Sequence, residues 1–137
     1  METLEQRHTE LATSFFERFS ANDIAGVLDL MADDATYWLA GKPEQLPGTG
    51  LLSKAQIATI YRRMGERLSD GLRMEVKNTV AQGDQVALEV ESHGVLKNGR
   101  IYNNQYHLLM RLRGDKIVAV KEYYDSFHVW DTWYRKD

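Results

Sequence analysis

From Gly71 onward, apolar and polar residues alternate with a period of two, and this constrains the fold more than any other feature of the chain. Side chains of a strand point to opposite faces in turn, so this alternation predicts half-buried strands. A strand is expected from Leu72 to about Ala81, then a turn at Gly83-Asp84 and a strand from Val86 to Leu96. Asn98-Gly99 carries a strong hairpin signal. The run from Gly99 to Asp125 then supplies two long strands joined at Gly114-Asp115. Short turns between successive strands make an antiparallel meander.

The first half of the chain has a helical period instead. Thr3 and Gln6 fit a capping box, and Leu4, His8, Leu11, Phe15 and Phe19 follow at helical spacing, predicting a helix over 4–20. Asp23 is placed to cap a short second helix with Ile24, Val27, Leu28 and Met31 as its buried face. Asp33-Asp34 reads as a turn and Ala35–Ala40 as a short strand. Gly41 to Gly50 reads as a loop long enough to form a mouth or lid. Ser53 and Gln56 form a second capping box before a helix over 54–68.

Three helices followed by an antiparallel sheet give the α+β class: helices packed on a strongly curved, mainly antiparallel sheet that encloses a pocket. A length of 137 residues suits one domain across the whole chain, 1–137. The net charge of −3 leaves no electrostatic footprint for nucleic acid or anionic membrane. There is no cysteine, which excludes disulfides and thiol chemistry. No basic-then-apolar leader opens the chain, and no apolar run approaches the roughly 18–20 residues of a membrane span. A cytoplasmic protein is expected. His8, His93, His107 and His128 lack ligand spacing, and no glycine-rich phosphate loop appears, so neither metal nor cofactor is expected.

Register arithmetic nominates the site. A two-residue turn at Asn98-Gly99 pairs Lys97 with Arg100 and sets His93 opposite Asn104 and Glu91 opposite Tyr106. Glu89, Glu91 and His93 then share a face with Tyr102, Asn104, Tyr106, Leu108, Met110 and Leu112, and His107, Arg111 and Arg113 take the other. A carboxylate, an imidazole, an amide and a phenol converging on an apolar surface suit general acid–base chemistry. The alternative places Glu89 and Glu91 in water and makes His93–Asn104 a structural pair. Glu122 hangs on the next turn. Two residues at Gly114-Asp115 set it opposite His107, away from the pocket. Three residues with a glycine bulge set it opposite Leu108, inside. Tyr37 and Trp38 point to opposite faces of their strand. The aromatic tail Phe127–Tyr134 is expected to cap the pocket mouth or to bury in a dimer interface.

The order of elements and several motifs resemble the nuclear-transport-factor-2-like superfamily, and within it the SnoaL-like proteins. The matching pieces are Met31–Thr36, Leu46-Pro47-Gly48, Asn98-Gly99-Arg100, Tyr102–Tyr106, Asp115-Lys116-Ile117 and Lys121–Asp125, spanning nearly the whole chain. The resemblance implies a conical fold, a deep apolar pocket and a homodimer through the sheet. It is a poor guide to activity, because the fold hosts isomerases, cyclases, dehydratases, hydrolases and non-catalytic binders.

Ketosteroid isomerases of this superfamily use a tyrosine and two acids. The matching positions here hold Phe15, Leu39 and, near the third, Leu108, so that mechanism is excluded. Limonene-epoxide hydrolases use a carboxylate–arginine–carboxylate set with a tyrosine and an asparagine. Tyr37, Glu91 and Glu122 match the tyrosine and the two carboxylates, while Leu39 replaces the asparagine and Glu89 the arginine. The resemblance also favours an inward Glu122 and an inward Tyr37.

The candidates are therefore Glu122, Glu91 and His93 for catalysis, with Tyr37, Asn104, Tyr106, Leu39 and Phe15 around the ligand. The leading expectation is a cofactor-independent enzyme of cyclase, isomerase, dehydratase or hydrolase type acting on an apolar, oxygenated small molecule. A non-catalytic dimeric ligand-binding protein and a protein-interaction module using the exposed sheet are the alternatives.

Overall fold

The computed structural model describes residues 1–137. Helix α1 (Leu4–Ser20) opens on the Thr3–Gln6 capping box, with both reciprocal hydrogen bonds present. Its buried face carries Ala12, Phe15, Phe16 and Phe19. His8, also buried on α1, bonds the carbonyl of Gly83 through Nδ1 at 3.0 Å and ties the helix to a strand turn. Asp23 caps α2 (Ile24–Asp29) by accepting from the Gly26 amide. The Ser53–Gln56 box opens α3 (Lys54–Arg67), which buries Ile57 and Tyr61.

The strands are β1 (Met31–Leu39), β2 (Gly50–Ser53), β3 (Arg73–Gln82), β4 (Gln85–Val95), β5 (Ile101–Tyr102), β6 (Gln105–Arg113) and β7 (Lys116–Tyr124). Six lie in the order β2-β1-β7-β6-β4-β3, with β5 on β4. The expected meander is β3–β4–β6–β7, antiparallel throughout. β1 starts earlier than expected, at Met31, and lies parallel to β7. β2 was expected as loop and helix entry. Its four residues are too few to show alternation, and pairing with β1 supplies their backbone partners. Extra residues in β3 at Lys77 and in β7 at Val118 bulge their strands, which bends the sheet toward the helices. α1 lies across β3 and α3 lies against β1, so the core fills the concave side. No helix is long and apolar enough to cross a membrane.

Two turns decide which side chains face inward. At Asn98-Gly99 the Gly99 amide bonds the Leu96 carbonyl and the Leu96 amide bonds the Arg100 carbonyl, both at 2.8 Å. Leu96 therefore faces Arg100 across a three-residue loop, and Gly99 alone takes positive φ, 91°. This is a turn followed by a glycine bulge, not the two-residue turn expected. The pairing moves by one residue: Val90 faces Tyr106, Leu88 faces Leu108, and Glu89 faces His107. A one-residue shift exchanges the faces of a whole strand. Val86, Leu88, Val90 and Ser92 point inward and are buried, and Glu89, Glu91 and His93 move to the outer face.

At Gly114-Asp115 the turn does have two residues, with Arg113 facing Lys116. The bulge at Val118 then adds the missing residue inside β7. Beyond it Met110 faces Val120, and Leu108 faces Glu122. Glu122 points inward by a route that neither turn alternative contained.

Candidate functional site

The concave side of the sheet holds a cavity of about 620 Å³, walled mainly by apolar and aromatic side chains. Phe15, Phe16 and Phe19 come from α1, Ile57, Ile60, Tyr61 and Met64 from α3, and Leu72 and Met74 from β3 and the residues before it. Tyr37 and Leu39 of β1 face Glu122 of β7. Exposed lining residues mark the mouth: Pro47 and Gly48 from the 40–49 loop, Arg63, Glu66 and Arg67 from α3, and Tyr134 from the tail.

Glu122 is the polar centre of this space. Tyr37 is 2 % exposed, and its hydroxyl donates to Glu122 Oε1 at 2.5 Å. Burial in an apolar wall pushes the Glu122 carboxyl up from 4.5 to about 7, and the Tyr37 hydrogen bond partly opposes this. What accessible surface Glu122 keeps faces the cavity, so it is desolvated and reachable at once. Burial and the Glu122 charge together hold the Tyr37, Tyr61, Tyr106 and Tyr124 phenols above their usual range. Burial raises Tyr102 to about 12. The cavity thus pairs one carboxyl that titrates near neutrality with phenols that keep their protons.

The expected site residues divide. Glu122, Tyr37, Tyr106, Leu39 and Phe15 line the cavity. Glu91 and His93 do not. On the outer face Glu91 lies 3.4 Å from Lys77 Nζ and 3.5 Å from His93 Nε2, and it accepts from Asn103 Nδ2 at 3.0 Å. The Asn103 bond, first among the causes, holds its carboxyl below the usual range. Glu91 and His93 therefore cannot meet a ligand in the cavity, and the hydrolase-like pair of carboxylates is not assembled. Asn104 is buried but spends its amide on the fold. Its Nδ2 donates to the Asp125 carbonyl and the Tyr102 hydroxyl, and its Oδ1 accepts from the Gln105 and Asp125 amides. It clamps the start of β6 to the end of β7. The Tyr106 hydroxyl, 2.8 Å from the Tyr102 hydroxyl and 3.0 Å from Ser92 Oγ, belongs to the same network.

Sequence reasoning missed Tyr61 and left the role of the tail open between the cavity mouth and a dimer interface. Tyr61 read as one more apolar position of α3. Its place beside Tyr37, with ring centroids 6.4 Å apart, comes from packing α3 on β1. The tail forms α4 (Ser126–Val129) and a turn of π-type bonding over Trp130–Tyr134. Val129, Trp133 and Tyr134 line the cavity, so the tail does cap its mouth. Arg67 holds it there by donating to the Trp133 carbonyl at 2.9 Å, and its guanidinium lies 5.1 Å from the Trp133 ring centroid. The Tyr134 hydroxyl reaches the Pro47 carbonyl at 3.1 Å.

Several solved structures share this architecture. A nuclear-transport-factor-2-like protein of unknown function from Burkholderia pseudomallei superposes with a TM-score of 0.80 at 14% identity, over 94% of this chain and 98% of that one. IdmH, a candidate polyketide cyclase from Streptomyces antibioticus, gives 0.74 at 20% identity over 91% and 96%. TerC, co-crystallised with polyporic acid, gives 0.78 at 18% identity over 92% and 97%. At these identities the likeness establishes the fold, which is nuclear-transport-factor-2-like. No curated protein matches the sequence. Residues 12–120 match the SnoaL-like domain, most of the chain, and the protein belongs to the SnoaL-like family.

Proposed function

We propose that the cavity takes up an apolar, oxygenated small molecule and that Glu122 moves a proton on it without a cofactor. The observation that carries this reading is the Glu122 carboxyl itself: desolvated, open to an apolar cavity, and raised to about 7. A base is most effective when its pKa lies near the working pH, and burial of an acid is how proteins reach that value. The volume of about 620 Å³ is in the usual range for small-molecule sites. One carboxyl with phenols around it favours proton transfer at carbon, as in cyclases and isomerases. Hydrolysis by paired carboxylates is disfavoured because Glu89 and Glu91 lie on the other side of the sheet. The likeness to IdmH and to the polyporic acid complex supports an aromatic or polyketide-like ligand.

The test is a screen of phenolic, quinonoid and polyketide-like compounds for a rise in unfolding temperature, with turnover of each hit followed by mass spectrometry. Glu122→Gln should keep binding and lose about a hundredfold or more in turnover. Full kcat in that variant would remove Glu122 from the chemistry. Ligands that bind wild type and are never converted would assign a binding protein instead.

The same reading includes a homodimer across the outer face of the sheet. In its support, Leu109 and Tyr123 are exposed there, and Trp38 packs edge-on against Tyr123 with ring centroids 5.2 Å apart.

A further inference from the structure

The charges around the cavity are unevenly placed. Arg63, Glu66 and Arg67 stand exposed at the mouth, toward the end of α3. A smaller space of about 210 Å³ adjoins the mouth. It shares Glu66 and Arg67 with the cavity and is completed by Leu96, Lys97 and Asn98. The Lys97 amide donates to the Arg67 carbonyl at 2.8 Å, which fixes the strand turn against the end of the helix. Three cations thus meet one carboxylate where the two spaces join, in a protein whose net charge is −3. Arg63, Lys97 and Glu66 enter none of the protein's ion pairs. Arg67 gives one N–H to the Trp133 carbonyl and lies over that ring, and it makes no ion pair either. Arg100, the next cation along the turn, differs: Asp137 and the Thr132 carbonyl hold its guanidinium. A basic residue in the last helical turn complements the helix dipole, which accounts for Arg67. It does not account for Arg63, four residues earlier on the same helix face, where like charges repel. Nor does it account for Lys97, which lies outside the helix.

Unpaired charges of one sign beside a low-dielectric wall raise the local concentration of an oppositely charged ligand. We infer that Arg63, Arg67 and Lys97 form an anion subsite at the cavity mouth, and that the ligand is an acid with an apolar body and a terminal carboxylate. The inference rests on the proposed uptake of a small molecule and narrows its class. Arg63 and Arg67 offer planar forks that match a carboxylate, and Lys97 adds a compact charge from the side space. Tyr61 and Arg67 are six residues apart on α3, about 9 Å at about 1.5 Å per residue. An apolar body of two fused rings covers that span. The two ends of the cavity also fix the direction of entry. A carboxylate turned inward would meet Glu122, which repels it when ionised. At the mouth the same group meets cations and keeps part of its hydration, so little desolvation opposes binding.

The probes are 2-naphthylacetate and 2-naphthylacetamide, which share a shape and differ in charge. Affinity for each is measured calorimetrically at low and at high salt. Wild type should bind the acid about three- to tenfold more tightly than the amide at about 20 mM salt, and the preference should shrink to about twofold or less at about 500 mM. Arg63→Gln and Lys97→Gln together should bring the acid to within about twofold of the amide and leave the amide unchanged. Both residues are outside the core, so the variant keeps the fold. Arg67 is kept because it holds the tail. Arg63→Lys retains the charge and should retain the preference. Arg7→Gln removes the same charge from α1, away from both spaces, and should change neither affinity. A wild type that binds the amide as tightly as the acid would overturn the subsite while leaving the cavity's role intact, as would a double variant that keeps the preference. A wild type that binds neither probe would overturn the proposed uptake and the subsite with it.

Discussion

The hydroxyl of Tyr37 donates to Glu122 Oε1 across 2.5 Å and joins β1 to β7 inside the cavity. The two side chains pull the carboxyl in opposite directions from its ordinary value. The hydrogen bond favours the carboxylate and the dry surroundings favour the acid. The surroundings win, and the carboxyl titrates at about 7.

This raised value makes stability depend on pH in a defined sense. The folded protein holds the Glu122 proton more tightly than the unfolded chain, whose carboxyl titrates near 4.5. The resulting stabilisation is fully present below about pH 4.5 and is lost as pH rises through about 7. Glu122→Gln lacks this titration. Relative to wild type it should gain about 2–3 kcal/mol between pH 4 and pH 8, a range that allows for water in the cavity. Urea unfolding of both proteins at the two pH values measures it, and a difference independent of pH would refute the buried titration.

Removing the donor should move the carboxyl further. Tyr37→Phe takes away the only hydrogen bond that favours the Glu122 carboxylate. Its titration should rise by about one unit above the wild-type value. Carbon-13 NMR of the Glu122 carboxyl carbon follows this directly.

Glu91 and His93 should be dispensable for anything that happens in the cavity. Glu91 pairs with both His93 and Lys77 on the outer face. Glu91→Gln and His93→Ala should leave ligand affinity and turnover within about twofold of wild type and cost less than about 1 kcal/mol in stability. A large loss of turnover in either would contradict the observed register.

The exposed side of the sheet can be tested apart from the cavity. Tyr123→Glu places a charge in the middle of the proposed dimer face, where Tyr123 is half exposed and packs on Trp38. Light scattering should show a dimer for wild type and a monomer for the variant, with ligand affinity retained. A wild-type monomer would remove the dimer.

Gly94 is set by close approach rather than by turn geometry. A Cβ there would lie 2.7 Å from Leu72 Cδ1 and 3.3 Å from the Gly71 carbonyl oxygen. Gly94→Ala should destabilise by about 1–3 kcal/mol, read from the chemical unfolding midpoint.

Local chemistry was legible in the sequence wherever a residue acts on its near neighbours. The Thr3–Gln6 and Ser53–Gln56 boxes, the Asp23 cap and the alternation of β6 each work over a few residues, and each took the expected form. Helix order and the period-two second half were enough to indicate the α+β class, because periodicity states which face of an element is buried. The inward set Tyr106, Leu108, Met110 and Leu112 followed from the same pattern.

Tertiary structure decided which strand faces meet and which polar groups are left free. Turn sequences alone do not specify a loop length. Gly99 can end a two-residue turn or form the bulge of a three-residue one, and the buried run Val86, Leu88, Val90 selected the second. That choice sent Glu91 and His93 outward. The bulge at Val118 has no mark of its own in the sequence, and it turns Glu122 inward because the cavity side of β7 must also bury Ile117 and Val120. Sequence could place a tyrosine at position 61. Only the packing of α3 against β1 could set its ring against Tyr37 in the cavity wall.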